Sequence, residues 1–252
     1  MSFFSVDNLS INFGGIKAVD GVTFGVDKGE VFTIIGPNGA GKTTIFNLVS
    51  RIYQPTGGKL VFDGTDITNV PPHRIAALGI ARTFQNIELF EHATLLQNLL
   101  LARHAHKKSN FFSELMFLPS VRQMELEHRE AVEKAIDFLD LQQYRDSFIV
   151  NLPYGVRKVT ELARALCTDP KLLLLDEPSS GLNVEETEDM AFWIQDIRNL
   201  LGITVLMVEH DMSLVSAVSD RVLALNYGRP LAMGTPSEVQ SHPEVVRAYL
   251  GG

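Results

Sequence analysis

The residues with the clearest chemical meaning are Gly36-Pro37-Asn38-Gly39-Ala40-Gly41-Lys42-Thr43, which match the spacing G-x-x-x-x-G-K-[ST]. Glycines at these positions let backbone N–H groups converge on phosphate oxygens more closely than side chains could. Lys42 supplies a positive charge toward β- and γ-phosphates, and the Thr43 hydroxyl suits one position around Mg²⁺. A second constellation is Leu172-Leu173-Leu174-Leu175-Asp176-Glu177-Pro178, an apolar run ending in two carboxylates. Asp176 is suited to hold Mg²⁺ through its water shell, and Glu177 to polarise a water attacking the terminal phosphate. A third apolar run, Ile203–Val208, ends in Glu209-His210-Asp211. There the His210 imidazole could donate to the γ-phosphate and hold the attacking water with Glu177, while Glu209 and Asp211 orient it or cap the next helix.

These groups need a scaffold that brings strand ends together. Val31–Ile35 reads as a strand before the glycine-rich loop and Thr44–Val49 as a helix after it, which is the setting the phosphate-loop pattern requires. Leu172–Leu175 and Ile203–Val208 are short and wholly apolar, and the helical pattern Val184–Leu200 separates them, so they read as a βαβ unit in a buried parallel sheet. Open parallel sheets bind ligands at the carboxyl ends of their strands, where the acidic and histidine groups fall. Further β-rich runs are expected at Val22–Val26 and Lys59–Phe62. From about Gln85 to Leu166 the strand signals cease, and Arg122–Leu139 reads as a long amphipathic helix of mixed charge, giving a helical lobe. Val222–Asn226 and Pro230–Met233, flanking Tyr227-Gly228-Arg229, read as a hairpin. Thr235-Pro236-Ser237-Glu238 carries a capping box, and Ser241-His242-Pro243-Glu244 is expected to repeat it.

The whole chain has 252 residues, about one large domain or a domain with an inserted lobe. Its formal charge of -8 argues against broad affinity for nucleic acid or anionic lipid. The single cysteine, Cys167, cannot form an internal disulfide, and MSFFSVDNLS lacks the regions of a secretory signal, so a reducing cytoplasm is expected. No apolar run approaches the roughly 18 residues of a membrane span, so any work at a membrane needs another chain to do the crossing. His104–Pro119 mixes basic residues with Phe111, Phe112, Leu115, Met116, Phe117 and Leu118, a cluster that either touches a membrane partner or packs on its own lobe.

Taken in order, these motifs resemble the ATP-binding cassette (ABC) family over essentially the whole chain. Gly36–Thr44 resembles its Walker A loop, Leu172–Glu177 its Walker B strand, Gln85 in Arg82-Thr83-Phe84-Gln85 its Q-loop, Ser180-Gly181-Leu182-Asn183 its D-loop and His210 its switch histidine. Leu152-Pro153-Tyr154-Gly155-Val156 stands where the family carries LSGGQ, but with Pro153 for Ser, Tyr154 for Gly and Val156 for Gln. Proline brings neither hydroxyl nor N–H, and what survives is Gly155 and a helix N-terminus able to attract an anion. Phe13 stands where the family stacks an aromatic on adenine; an aromatic near a strand end is otherwise core.

The resemblance implies an α/β fold: a P-loop, RecA-like parallel sheet core with an antiparallel β part over 1–84 and 168–252, and an inserted helical signature subdomain over about 85–167. It implies an ATPase using ATP and Mg²⁺, with Phe13 and Gly36, Pro37, Asn38, Gly39, Ala40, Gly41, Lys42, Thr43 and Thr44 on the nucleotide, and Thr43, Gln85 and Asp176 around the metal. Glu177, His210 and Gln85 would be catalytic, and Leu152–Val156 would meet the nucleotide of a partner. Arg82–Ile87, Leu152–Gly155, Glu209–Met212 and Arg247–Gly251 resemble most the ATPase subunits of branched-chain amino acid importers. That subgroup implies a second ABC ATPase subunit, identical or similar, transmembrane permease subunits, indirectly a substrate-binding protein, no nucleic acid, and a peripheral place on the cytoplasmic face of the membrane. An importer of urea, other amino acids or aromatic acids, and a weakly hydrolysing regulatory module, stay open beside it. A chromosome-type cassette would need long coiled coils in the lobe, and a small-molecule kinase would have no use for a signature helix or a switch histidine.

Overall fold

The computed structural model describes residues 2–85, 87–103 and 119–250, which divide into two compact units: one of residues up to Gln85 and from Lys171 onward, the other spanning 86–170. The apolar cluster expected at His104–Pro119 lies outside the described residues and side chains.

The first unit is built on two sheets. Strands β1 (Phe4–Phe13), β2 (Ile16–Val26), β4 (Gly57–Phe62) and β5 (Thr65–Asp66) form an antiparallel sheet in the order β2-β1-β4-β5. Strands β3 (Val31–Ile35), β6 (Ile80–Arg82), β7 (Leu172–Asp176), β8 (Thr204–Val208), β9 (Arg221–Asn226) and β10 (Arg229–Gly234) form a second sheet in the order β10-β9-β3-β8-β7-β6. Its neighbours from β9 to β6 run parallel and only β10 is antiparallel. Strands β3, β7 and β8 are buried at every residue, which is why their sequences are mainly apolar rather than alternating. β1 and β2 alternate buried and exposed positions with several bulges, and that irregularity hides most of their length from a periodicity reading.

Helix α1 (Lys42–Val49) follows β3 and buries Ile45, Phe46, Leu48 and Val49 in a core shared by both sheets, with Phe4, Phe24, Phe32, Leu174 and Leu206. A short helix, α2 (Pro72–Ile75), leads toward β6. Between β7 and β8 runs α6 (Val184–Asn199), opened by an Asn183–Glu186 capping box, and β7 and β8 pair directly in parallel. After β8, Asp211 caps α7 (Met212–Val218), accepting from the Ser213 and Leu214 N–H groups.

The hairpin of β9 and β10 forms, but its register pairs Arg229 with Asn226, so Arg229 belongs to the strand and the turn is Tyr227-Gly228 alone. Both have positive φ, 45° and 75°, the geometry of a two-residue turn that follows the strand twist. Thr235 caps α8 (Pro236–Gln240) with the expected box to Glu238. Ser241 does not repeat it: its hydroxyl donates back to the Ser237 and Glu238 carbonyls and closes α8, while α9 (Pro243–Leu250) starts two residues later.

The second unit holds α3 (Leu95–Ala102), α4 (Pro119–Phe138) and α5 (Tyr154–Leu166), and no strand among its described residues beyond an isolated Thr94–Phe148 bridge. Helix α4 starts before the expected Arg122. Helix α5 buries Val159, Leu162, Ala163 and Leu166, one face at helical spacing. Cys167 follows it, buried, and burial pushes its thiol up to about 12. A folded value above the ordinary 9.0 means that stability is intact below about pH 9 and is lost as pH rises toward 12, because the unfolded thiol ionises first. An aromatic disulfide reagent at pH 8 is therefore expected to leave Cys167 unmodified in the native chain and to react in parallel with denaturant unfolding; fast modification without denaturant would contradict this burial.

Candidate functional site

The carboxyl ends of β3, β7 and β8 lie side by side, with Ile34 opposite Val208 and Val208 opposite Asp176. This register places three loops at one edge of the sheet: Gly36–Gly41 after β3, Glu177–Asn183 after β7 and Glu209–Asp211 after β8. The edge opens on a cleft of about 440 Å³ lined by Asn38, Gly39, Ala40, Gly41, Lys42, Thr43 and Thr44, by Ile16, Lys17 and Ala18 of β2, and by Gln85, Glu177 and Tyr227.

The loop after β3 is shaped by close backbone approach. A Cβ on Gly36 would sit 2.4 Å from the Leu225 carbonyl, and Gly41, which precedes α1 with φ 99°, would put one 2.7 Å from the Ala18 carbonyl. Lys42 is buried and its Nζ donates to the Gly36 and Pro37 carbonyls at 2.7 and 3.2 Å, which holds the ammonium inside the curve of the loop. Burial lowers its pKa, and the charges of Glu177, Asp176 and Glu209 act the other way.

Asp176 closes β7 with 2 % exposure. Its Oδ2 accepts from Arg82 Nη2 at 2.7 Å, and that guanidinium also donates to Asn47 Oδ1 and Ser50 Oγ of α1 and its end. The Phe46 and Phe84 rings lie 5.6 and 5.3 Å from the Arg82 carbon. Asp176 Oδ1 is buried with no hydrogen-bond partner among the described residues. An ionised oxygen left in that condition is costly unless a cation or its water shell meets it, so the residues present fit a divalent metal here.

Glu177 follows with φ 49°, a left-handed conformation that a glutamate adopts only when its surroundings enforce it. Its N–H donates to the Val208 carbonyl at 2.9 Å, and its Oε2 accepts from Gln85 Nε2 at 3.0 Å. His210 Nδ1 lies 3.7 Å from the same Oε2, and the imidazole is largely exposed. Gln85, Glu177 and His210, 125 residues apart at the extremes of the sequence, thus form one cluster beside the loop.

Phe13 does not line the cleft. Its ring, at the end of β1, meets Tyr53 edge-on with centroids 5.2 Å apart. The apolar lining comes instead from Ile16 and from Tyr227, which is 83 % exposed. Tyr227 is held there because the Gly228 N–H donates to the Ala40 carbonyl and the Gly228 carbonyl accepts from the Asp20 N–H, both at 2.9 Å. In the sequence Tyr227 reads only as a turn residue, because nothing local to Tyr227-Gly228 encodes the approach of that turn to Ala40. Arg82 carries no signal of its own in the sequence, because its partners Asn47, Ser50 and Asp176 come from distant segments.

In the second unit, Leu152–Val156 forms the start of α5. Pro153 occupies the N-cap without a side-chain hydrogen bond, Leu152 and Gly155 are buried and Tyr154 is exposed.

Residues 19–180 match the family model "ABC transporter", and residues 229–252 match "Branched-chain amino acid ATP-binding cassette transporter". The chain is 43 % identical over 246 residues to the high-affinity branched-chain amino acid transport ATP-binding protein BraF of Pseudomonas aeruginosa, covering 98 % of this chain and 96 % of that one. It is 40 % identical over 247 residues to the LivG protein of the same description from Escherichia coli K12, covering 98 % and 97 %. Among solved structures it is similar to a nucleotide-free ATP-binding cassette from an ABC transporter, with a TM-score of 0.87, 32 % identity and full coverage of both chains. A cassette in its ADP conformation matches at the same TM-score and identity. With this fold, this coverage and this phosphate loop, the chain belongs to the ABC transporter family and is an ATPase of that family.

Proposed function

We propose that the chain is the ATP-hydrolysing subunit of an ABC importer for branched-chain amino acids, with its nucleotide seated on Gly36–Thr44. The observation that carries this reading is the Gln85–Glu177 hydrogen bond of 3.0 Å with His210 3.7 Å away, at the cleft into which the phosphate loop opens. The solute class follows from the names of relatives matched over nearly their full length and from the C-terminal family match.

In this reading the Gly36–Gly41 amides and Lys42 neutralise the triphosphate oxygens without having to move, since Lys42 is already held by the loop's own carbonyls. Glu177 takes the proton of the attacking water, Gln85 orients that carboxylate and the water, and His210 donates toward the terminal phosphate. The base packs against Ile16 at the start of β2 and against Tyr227. Thr43, Gln85 and Asp176 would hold Mg²⁺, which when bound offsets charge developing on the phosphate oxygens.

The residues up to Gln85 and from Lys171 onward act as the nucleotide-binding core, and 86–170 as the signature subdomain, which meets the nucleotide of a second cassette subunit through Leu152–Val156. Pro153 and Val156 leave that contact to Gly155 and the backbone at the start of α5. Permease subunits cross the membrane and a substrate-binding protein delivers the solute, so this chain works as a peripheral subunit on the cytoplasmic face. Among the described residues no helix is long and apolar enough to cross a membrane.

Glu177→Gln is expected to lower ATP turnover of the assembled transporter by about 10²–10³-fold while leaving ATP binding within twofold. Equal turnover in the variant, or no turnover in the wild type, would turn the reading toward a regulatory module. Asp176→Asn is expected to weaken Mg²⁺-ADP binding while sparing ADP binding in chelator, and to cost about 3 kcal/mol in denaturant unfolding because Arg82 loses its buried partner. Unchanged metal dependence would remove Asp176 from the metal site. Uptake of radiolabelled leucine, urea and benzoate by vesicles holding the full complex would sort the solute classes.

A further inference from the structure

Glu209 is a carboxylate with 0 % exposure. Among the described residues no lysine or arginine lies within ion-pairing distance of it. A buried carboxylate in that position survives only if hydrogen-bond donors replace its hydration. Four do so. Oε1 accepts from the Ser179 backbone N–H at 2.9 Å and from the Ser179 hydroxyl at 2.6 Å, and Oε2 accepts from the N–H groups of His210 at 2.6 Å and Asp211 at 3.0 Å.

The two oxygens thus grip two different loops. Ser179 lies two residues after Glu177 on the loop that follows β7, and His210 is the first residue after Glu209 on the loop that follows β8. Strand register fixes where the loops start, Asp176 opposite Val208, but not how far each leans beyond the sheet. The Glu209 carboxylate bridges that distance with hydrogen bonds to both loops. It also faces the imidazole, since His210 Nδ1 lies 3.4 Å from its Oε2 and 3.7 Å from Glu177 Oε2.

We propose that Glu209 is a positioning residue that ties His210 to Ser179, so that the imidazole takes its place against Glu177 only while the Ser179–Asn183 loop is in place. Because the loop Ser180–Asn183 is the one that resembles the family's D-loop, a displacement of that loop by a partner subunit would reach His210 through Glu209 without any change in the sheet. The catalytic consequence rests on the function proposed above; the mechanical tie does not.

The test uses the full chain labelled with ¹⁵N-histidine, and compares wild type, Ser179→Ala, Ser179→Thr and Glu209→Gln. Ser179→Ala removes one donor and should fold as wild type. It is expected to shift the His210 ring ¹⁵N resonances, which are assigned by their loss in His210→Ala, and to lower kcat about 10-fold with KM within twofold. Ser179→Thr, which keeps the hydroxyl, should restore both. Glu209→Gln presents an N–H₂ group where an acceptor is needed on one side, and should give a larger shift in the same direction with ADP affinity retained. The proposal is overturned if Ser179→Ala leaves the His210 resonances where they are in wild type, or if Ser179→Thr fails to restore them. It is also overturned if KM rises in step with the loss of kcat, which would mark a general loosening of the site. A wild-type chain that hydrolyses ATP while Ser179→Ala leaves His210 unmoved sinks this inference alone, whereas a wild-type chain without turnover sinks the functional reading and leaves the resonance shifts to judge the tie.

Discussion

The parallel pairing of β3, β8 and β7 is the constraint on which everything else at the site depends. Three apolar strands buried on both faces must stop together where the chain meets water, and the first polar residues after each strand are therefore gathered at one edge. Gly36 and Glu209 follow β3 and β8 directly, and Asp176 is the last residue of β7. A register slip of one residue in β7 would turn Asp176 to the opposite side of the sheet and leave Arg82 facing an apolar side chain.

That edge carries an unusual amount of buried charge for a chain of ordinary composition. Lys42, Asp176 and Glu209 are buried and Arg82 is nearly so, and each is held differently. Loop carbonyls hold Lys42, a salt bridge with amide and hydroxyl contacts holds Arg82, and N–H and O–H donors hold Glu209. At this edge Asp176 keeps one buried oxygen, Oδ1, without a hydrogen-bond partner among the described residues. The arrangement concentrates unsatisfied acceptor capacity at one atom next to the phosphate loop, which is what a site for a hydrated divalent cation requires. Because Lys42 and Glu209 are already held by hydrogen bonds, little reorganisation of them is needed when the triphosphate arrives, and preorganisation of this kind is the usual source of electrostatic catalysis.

The two-residue turn between β9 and β10 shows how an edge element is drawn into the site. Its backbone is stapled to Ala40 of the phosphate loop and to Asp20 of β2, so a part of the chain nearly two hundred residues away from the loop places Tyr227 at the cleft. The same turn explains why Gly228 is packed against Ala18, a closeness that no larger residue would allow.

The sequence by itself determined the phosphate loop, the strands that end in acids and histidine, the helix that joins them and the change from strand to helix pattern near Gln85, because each is carried by short-range spacing or by a run whose burial leaves no polar residue. The family is legible there too, since Gly36–Thr43, Asp176-Glu177 and His210 keep its order and surroundings. Tertiary structure decided the rest. The bulged β1 and β2, the assignment of Ser241 to the end of one helix rather than the start of another, and the exact partners of Arg82 and Glu209 depend on which atoms meet across the fold, and no local pattern encodes a contact between residues 94 or 30 positions apart. Phe13 and Tyr227 make the same point at the cleft: both are aromatic residues beside turns, and only the hydrogen bonds of Gly228 to Ala40 and Asp20 bring one of them to its lining while the other packs on Tyr53.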